Sequence, residues 1–329
     1  MNKLSFFKKS AVAVSLAAGV MVAGQASAGS LAQATLQLSN LLFKNGSASG
    51  PTLDASNFSF LSITDSTNLN PSLNGVNNGV SFTTSNGVPL GSHIQCVPSG
   101  CPAFLNPATP YANAPIPAAG NGSLAASNLV GAPITGLGAP GPAIPTPATA
   151  QTAALSELTS TGFADSASVL RLQTAFTFSL ATSTTVAIDF DTIVHAIADL
   201  NIETGSSQSS TAWNIIIVNN TTGATVFNWT PDGVLGTGIT GGTEIADDCN
   251  MQATAGLFTT VGTSEFNCSG HETALTPLLA AGTRYTLTLR HETDSSVTLV
   301  VPEPESILLM GLGLAGLALT QRRRQVRKS

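Results

Sequence analysis

Residues 284–291, Arg-Tyr-Thr-Leu-Thr-Leu-Arg-His, alternate polar and apolar side chains over most of their length. An extended chain turns such alternation into one wet and one dry face, because successive strand side chains point to opposite sides. The same period of two runs through residues 34–41, 58–65, 175–180 and 185–191, and returns at 296–300. Residues 213–218 and 224–229 flank an Asn-Asn-Thr-Thr-Gly turn, which reads as a hairpin. Short strands, Gly/Asn/Thr turns and Thr-rich faces predict an all-β chain, an antiparallel β-sandwich of jelly-roll type. Residues 191–202 stay open between strand and helix, since Phe190, Ile193, Val194, Ile197 and Leu200 also define one helical face.

Charge narrows the function classes. Only 9% of the 329 residues are charged, and twelve basic residues stand against eighteen acidic ones. That balance excludes a charge-driven disordered chain and leaves no footprint for nucleic acid. Residues 29–300 hold four basic residues, Lys44, Arg171, Arg284 and Arg290, against sixteen acidic ones, a formal charge of −12. Such a surface disfavours anionic lipids and polymers. Residues 66–156 carry no charged side chain, and residues 106–150 are rich in Pro, Ala and Gly. Recurrent prolines make 106–150 an expected loop or linker between two parts of one sandwich, residues 29–105 and 151–300.

The two ends read as addresses. Lys3, Lys8 and Lys9 precede an apolar run, Ala11 to Gly24, and the small-residue site Ala26-Ser27-Ala28. This pattern is a secretory signal over residues 1–28, cleaved after Ala28, and implies the Sec export machinery. At the other end, residues 301–329 hold Val301-Pro302-Glu303-Pro304, a charge-free run from Ile307 to Thr320, and the basic cluster Arg322, Arg323, Arg324, Arg327 and Lys328. That run would be a short C-terminal hydrophobic helix of about 21 Å, marginal against a hydrocarbon core of about 30 Å. The basic cluster acts as a stop-transfer signal on the cytoplasmic side.

This tail closely resembles the PEP-CTERM sorting signal, in which a Val-Pro-Glu-Pro motif precedes a Gly/Leu-rich membrane segment and an Arg-rich end. The resemblance implies an exosortase-type processing enzyme as partner, transient anchoring in the inner membrane, and release to the cell surface or extracellular matrix. A second resemblance, to the EDSAP group of such proteins, rests on Trp229 to Gly233 and Tyr285 to Glu292. Its name-giving stretch falls at Ala164-Asp165-Ser166-Ala167, without the leading Glu.

Four cysteines in an exported segment imply two disulfides. Cys96 and Cys101 enclose a Val-Pro-Ser-Gly turn, and Cys249 and Cys268 are close in sequence, so 96–101 and 249–268 are the expected pairs among three pairings.

Catalytic signatures are missing. The chain has no Gly-x-Ser-x-Gly, no His-Glu-x-x-His, no phosphate-binding loop and no dinucleotide fingerprint. His271-Glu272 and His291-Glu292 place neighbours on opposite strand faces and read as polar strand ends. Asp189 and Asp191 share a face about 7 Å apart, a spacing that suits glycoside hydrolysis but also any solvated strand. Glu244, Asp247, Asp248 and Asn250 form an oxygen-rich loop beside Cys249, of a type that could take calcium but without EF-hand spacing. Trp213, Trp229 and Tyr285 could stack on sugars, yet period-two aromatics are more often core. The expectation is therefore no catalytic residue, no metal and no cofactor. It points to a structural or adhesive protein of the biofilm or exopolysaccharide matrix, with extracellular polysaccharide as the polymer partner. A carbohydrate-binding module is the alternative and a glycan-processing enzyme the third reading.

Overall fold

The computed structural model describes residues 29–85, 88, 90–101, 121–136, 147–168, 173–300 and 313–314. In chain order the strands are β1 (Ser30–Asn45), β2 (Phe58–Leu73), β3 (Val76–Asn77), β4 (Val80–Ser85), β5 (Gly91–Val97), β6 (Gly122–Val130), β7 (Ala148–Leu158), β8 (Gly162–Ser168) and β9 (Gln173–Leu180). They continue with β10 (Val186–Leu200), β11 (Gly205–Asn219), β12 (Thr225–Trp229), β13 (Ile239–Thr240), β14 (Thr243–Asp247), β15 (Thr254–Phe258), β16 (Gly262–Leu275) and β17 (Tyr285–Leu299).

They form two antiparallel sheets packed as a sandwich. The first runs β14-β16-β10-β1-β7-β6-β5. The second runs β13-β12-β11-β17-β8-β2-β3. In that second sheet β8 and β9 lie end to end between β17 and β2, and β15 and β12 lie end to end beside β11.

The 284–291 alternation is realised in β17, where Tyr285, Leu287 and Leu289 face inward. Residues 191–202, open on sequence, belong mainly to β10, because their even-spaced apolar side chains bury against the facing sheet. The loop expected over 106–150 is corrected at residues 122–130. These form β6, an internal strand between β7 and β5. No proline lies between residues 118 and 132, so the prolines bracket this strand without entering its ladder. Both of its faces are buried, so small residues replace the alternation that would have revealed it.

The interior changes character along its length. Around the middle and one end it is filled by volume: Phe43, Phe176, Phe178, Phe190, Trp213, Phe227 and Trp229. Trp213 and Trp229 meet edge to face at 5.5 Å, with Phe190 5.0 Å from Trp213. Trp213, Trp229 and Tyr285 are thus core, Tyr285 beside Phe178 at 5.7 Å. Toward the other end a smaller apolar cluster of Leu158, Leu200, Val297 and Leu299 is interleaved with Ala, Ser and Thr, and hydroxyls cross between the sheets. Ser207 donates to Leu31 O at 2.6 Å, Ser209 to Ile197 O at 3.0 Å and Ser156 to Ser295 O at 3.0 Å. The two backbones there stand within reach of one serine side chain.

Both expected disulfides form, Cys96–Cys101 and Cys249–Cys268, with Cα separations of 5.6 and 5.9 Å. The secretory signal at 1–28 and the sorting motif at 301–304 lie outside the described residues. The C-terminal hydrophobic helix expected over 307–320 also lies outside the described residues except for Gly313 and Leu314, both helical. Among the described residues no helix is long and apolar enough to cross a membrane.

Candidate functional site

The oxygen-rich loop turns its carboxylates inward, onto protein donors. Asp247 accepts the backbone N–H groups of Asp232, Gly233 and Val234 at 3.1, 3.0 and 3.2 Å. Glu244 accepts the Trp229 indole N–H at 2.5 Å and the Gly236 N–H at 2.6 Å. Asp248 accepts the His271 N–H at 2.9 Å, and Asn250 that of Gln252 at 2.8 Å. Opposite Asp247, the fully buried Glu272 accepts the Asp248 and Cys249 N–H groups, both at 3.1 Å. Burial, and then the Asp247 charge beside it, push the Glu272 carboxyl up to about 8, so it is protonated at neutral pH. Together with the Cys249–Cys268 bridge this is a structural anchor for the 229–250 loop.

A second cluster lies on the outer face of the first sheet. Antiparallel register sets Asp191 opposite His271 and Asp189 opposite Thr273. The His271 ring bridges the two acids, Nδ1 to Asp191 and Nε2 to Asp189, each at 2.8 Å. Thr273 donates to Asp189 at 3.0 Å, Asn40 donates to Asp191 at 2.7 Å, and Lys44 pairs with Asp189. The Asn40 hydrogen bond leads, with the His271 contact after it, in holding the Asp191 carboxyl below its usual range. The expected solvated pair is therefore a braced one. Its partners come from other strands, which no local spacing reveals.

The remaining histidines have separate surroundings. His291 is corrected from a polar strand end: it is fully buried in β17, with Nε2–H donating to Leu36 O at 2.8 Å. Burial pulls its ring down to about 3, so it is neutral. His93 stacks on Phe82 at 3.7 Å, and His195 meets Glu265 at 3.0 Å.

A trough runs over the outer face of the second sheet. Cross-strand register builds it row by row over β15, β11, β17 and β8. One row is Phe258, Ser206, Thr298 and Phe163; the next is Gly256, Gln208, Ser296 and Asp165; the third is Thr254, Ser210, Asp294 and Ala167. Small residues form the floor, the exposed Phe258 stands at one side, and Asp165 and Ala167 form the other. The depression has a volume of about 540 Å3. A second one, of about 430 Å3, continues along β11 and β17 with Asn214, Gln252, Arg290 and Glu292. Among the described residues no side chain donates a hydrogen bond to the carboxylates of Asp165, Asp294 or Glu292. Burial, then the Asp165 and Glu292 charges, raise the Asp294 carboxyl to about 6. Burial also raises Asp165. Sequence reasoning missed this trough because it joins four strands far apart in the chain; the Ser-Ser-Gln-Ser-Ser run at 206–210 was its one local trace.

The chain ends converge on the loop 201–204. Asn201 holds the Gly29 carbonyl through its side-chain amide, and its N–H reaches Ser30 Oγ at 3.4 Å. Thr204 accepts the Val300 N–H at 2.8 Å and donates its hydroxyl to Val300 O at 2.6 Å. The tail thus leaves directly from a central strand, with no spacer between fold and motif.

No curated protein and no solved structure matches this chain. A family match begins at Val300, where the fold ends, and covers residues 300–324, from the Val-Pro-Glu-Pro motif through the Arg cluster. It does not reach the turn and strand on which the EDSAP resemblance rests. The matched model is the PEP-CTERM protein-sorting motif, which marks exported proteins processed by an exosortase at the membrane, and the chain is a PEP-CTERM domain-containing protein.

Proposed function

We propose that the protein, exported through the Sec machinery and freed from its tail, acts at the cell surface or in the extracellular matrix as a structural and adhesive component that contacts polysaccharide. The trough on the outer face of the second sheet carries this reading. Its hydroxyl, amide and carboxylate groups suit a hydroxyl-rich polymer, and Phe258 offers a ring face for a sugar. The buried Trp213, Trp229 and Tyr285 contribute no such surface, so the contact is polar and weak per site, and repeated copies supply avidity. The Asp165 and Asp294 carboxylates of the trough favour neutral or amine-bearing sugars over acidic ones.

A second reading follows from Asp294 and Asp165. A carboxyl titrating near 6 beside a second carboxylate is the pattern of an acid/base pair in glycoside cleavage. One assay separates the two. Binding of the protein to a panel of neutral, amine-bearing and acidic polysaccharides, weakened by Asp165→Asn and Gln208→Ala without any new reducing ends, supports the adhesive reading. Release of reducing ends, abolished by Asp294→Asn, would replace it with the enzymatic one. Neither binding nor cleavage would overturn both.

A further inference from the structure

The end of the sandwich where its first and last residues, Gly29 and Val300, lie is also where exposed apolar side chains gather. Gly29 and Val300 are fixed by Asn201 and Thr204, three positions apart on one loop. Around that loop, Phe163 pairs across from Thr298 and Phe258 from Ser206, each one rung from the strand end. Val261 precedes Gly262, which pairs with Leu200, and Thr259 N–H bonds to Gly205 O at 3.1 Å. Phe163, Phe258, Val261 and Val300 are 44, 60, 51 and 56% exposed. Lys44, Arg284 and Arg290, the described basic residues of the sandwich, lie elsewhere: Lys44 and Arg284 at the opposite end, Arg290 in mid-strand. Glu203 lies in the loop, and Asp199 and Glu157 flank Leu31 on the two neighbouring strands of the same end.

We infer that this end is a membrane-apposed face, whose Phe163, Phe258, Val261 and Val300 side chains enter the interface of a neutral lipid bilayer while the tail is anchored. The inference rests on the reading of residues 307–320 as a membrane segment. Six residues, 301–306, separate Val300 from that segment. However they are arranged, six residues reach at most about 22 Å, so the fold is confined next to the bilayer. The expected secretory signal leads into the same end, and its cleavage after Ala28 leaves the tail as the one tether. A tether raises the effective concentration of the face at the lipid, so a few shallow apolar side chains suffice. Soluble surfaces seldom gather such side chains around a single exit point without use. Among the described residues no Lys or Arg lies here, and Asp199, Glu203 and Glu157 do, which selects zwitterionic over anionic lipid.

The test uses the full-length chain reconstituted in phosphatidylcholine vesicles whose acyl chains carry bromine, a contact quencher of tryptophan. Phe163→Trp, Phe258→Trp and Val261→Trp report on the face. Leu278→Trp, an exposed site at the opposite end, is the control. The native Trp213 and Trp229 are buried and give a constant background. The expected result is quenching at the three face sites about twofold or more above the control, as for side chains at the lipid interface. It falls when anionic lipid is added. Protein that resists carbonate extraction yet shows face sites no more quenched than Leu278→Trp overturns the inference alone and leaves the tail reading intact. That holds equally if the face is covered by a second copy or by the processing enzyme. Protein released by carbonate overturns the tail reading and this inference together.

Discussion

Asp191 and His271 sit directly opposite each other on β10 and β16, with the imidazole Nδ1 2.8 Å from the carboxylate. The same ring reaches Asp189, two residues back along β10, so a single histidine ties two acids of one strand to the next. Asn40 completes the brace from β1 with a left-handed backbone at φ 56°. Replacing Asn40 by Ala removes that hydrogen bond and forces a Cβ-bearing residue without a local polar contact into a strained conformation. The expected loss is about 1–3 kcal/mol in urea unfolding, with Asn40→Gly losing less.

Glu272 gives the protein a stability that declines toward alkaline pH. Its carboxyl is raised from the ordinary 4.5 to about 8 in the folded state. Between those values the folded chain holds one more proton than the unfolded one, so this contribution falls as pH rises and is lost above about 8. Melting curves from pH 5 to 9 should show the fall, and Glu272→Gln should flatten it.

His291 works in the opposite sense. Its folded value is depressed from 6.5 to about 3. The unfolded chain therefore takes up the extra proton between these values, and stability drops on acidification below about pH 6.5. His291→Gln, which keeps a donor for Leu36 O, is expected to remove that acid limb from the same melting series.

In the trough, the Asp294 carboxyl is held up first by burial and then by Asp165. Asp165→Asn should move its titration, followed by carboxyl NMR shifts, from near 6 toward 3.8. An unchanged midpoint would show that the two charges do not communicate.

The hydroxyl-bridged half of the interior has little tolerance for bulk. Ser156→Ala removes hydrogen bonds to Ser295 and is expected to cost about 1 kcal/mol. Ser156→Val must part the sheets as well and should cost about 1–3 kcal/mol more. Chemical denaturation of the two variants side by side reads the difference.

How much of this was legible in the chain depended on whether a residue's partner was local. Tyr285, Leu287 and Leu289 announce their strand because one face is dry and the other wet. Gly122 to Val130 do not, because a strand buried on both faces with Ala and Ser shows no alternation. The disulfides could be anticipated from a turn and from proximity in sequence. Asp165 and Asp294, 129 positions apart in the numbering, meet only through the β8–β17 register. The ends were readable as addresses because such signals act as linear segments.

The serine hydroxyls that bridge the sheets near the chain ends also divide the molecule by temperature. Apolar burial weakens on cooling, whereas directional hydrogen bonds do not share that dependence. The aromatic cluster and the Leu158, Leu200, Val297 and Leu299 cluster therefore both lose cohesion in the cold, and the band closed by Ser156, Ser207 and Ser209 holds on longer. Chilled toward unfolding, the sandwich loosens in its two apolar clusters first, and the hydroxyl bridges between the sheets are the last to part.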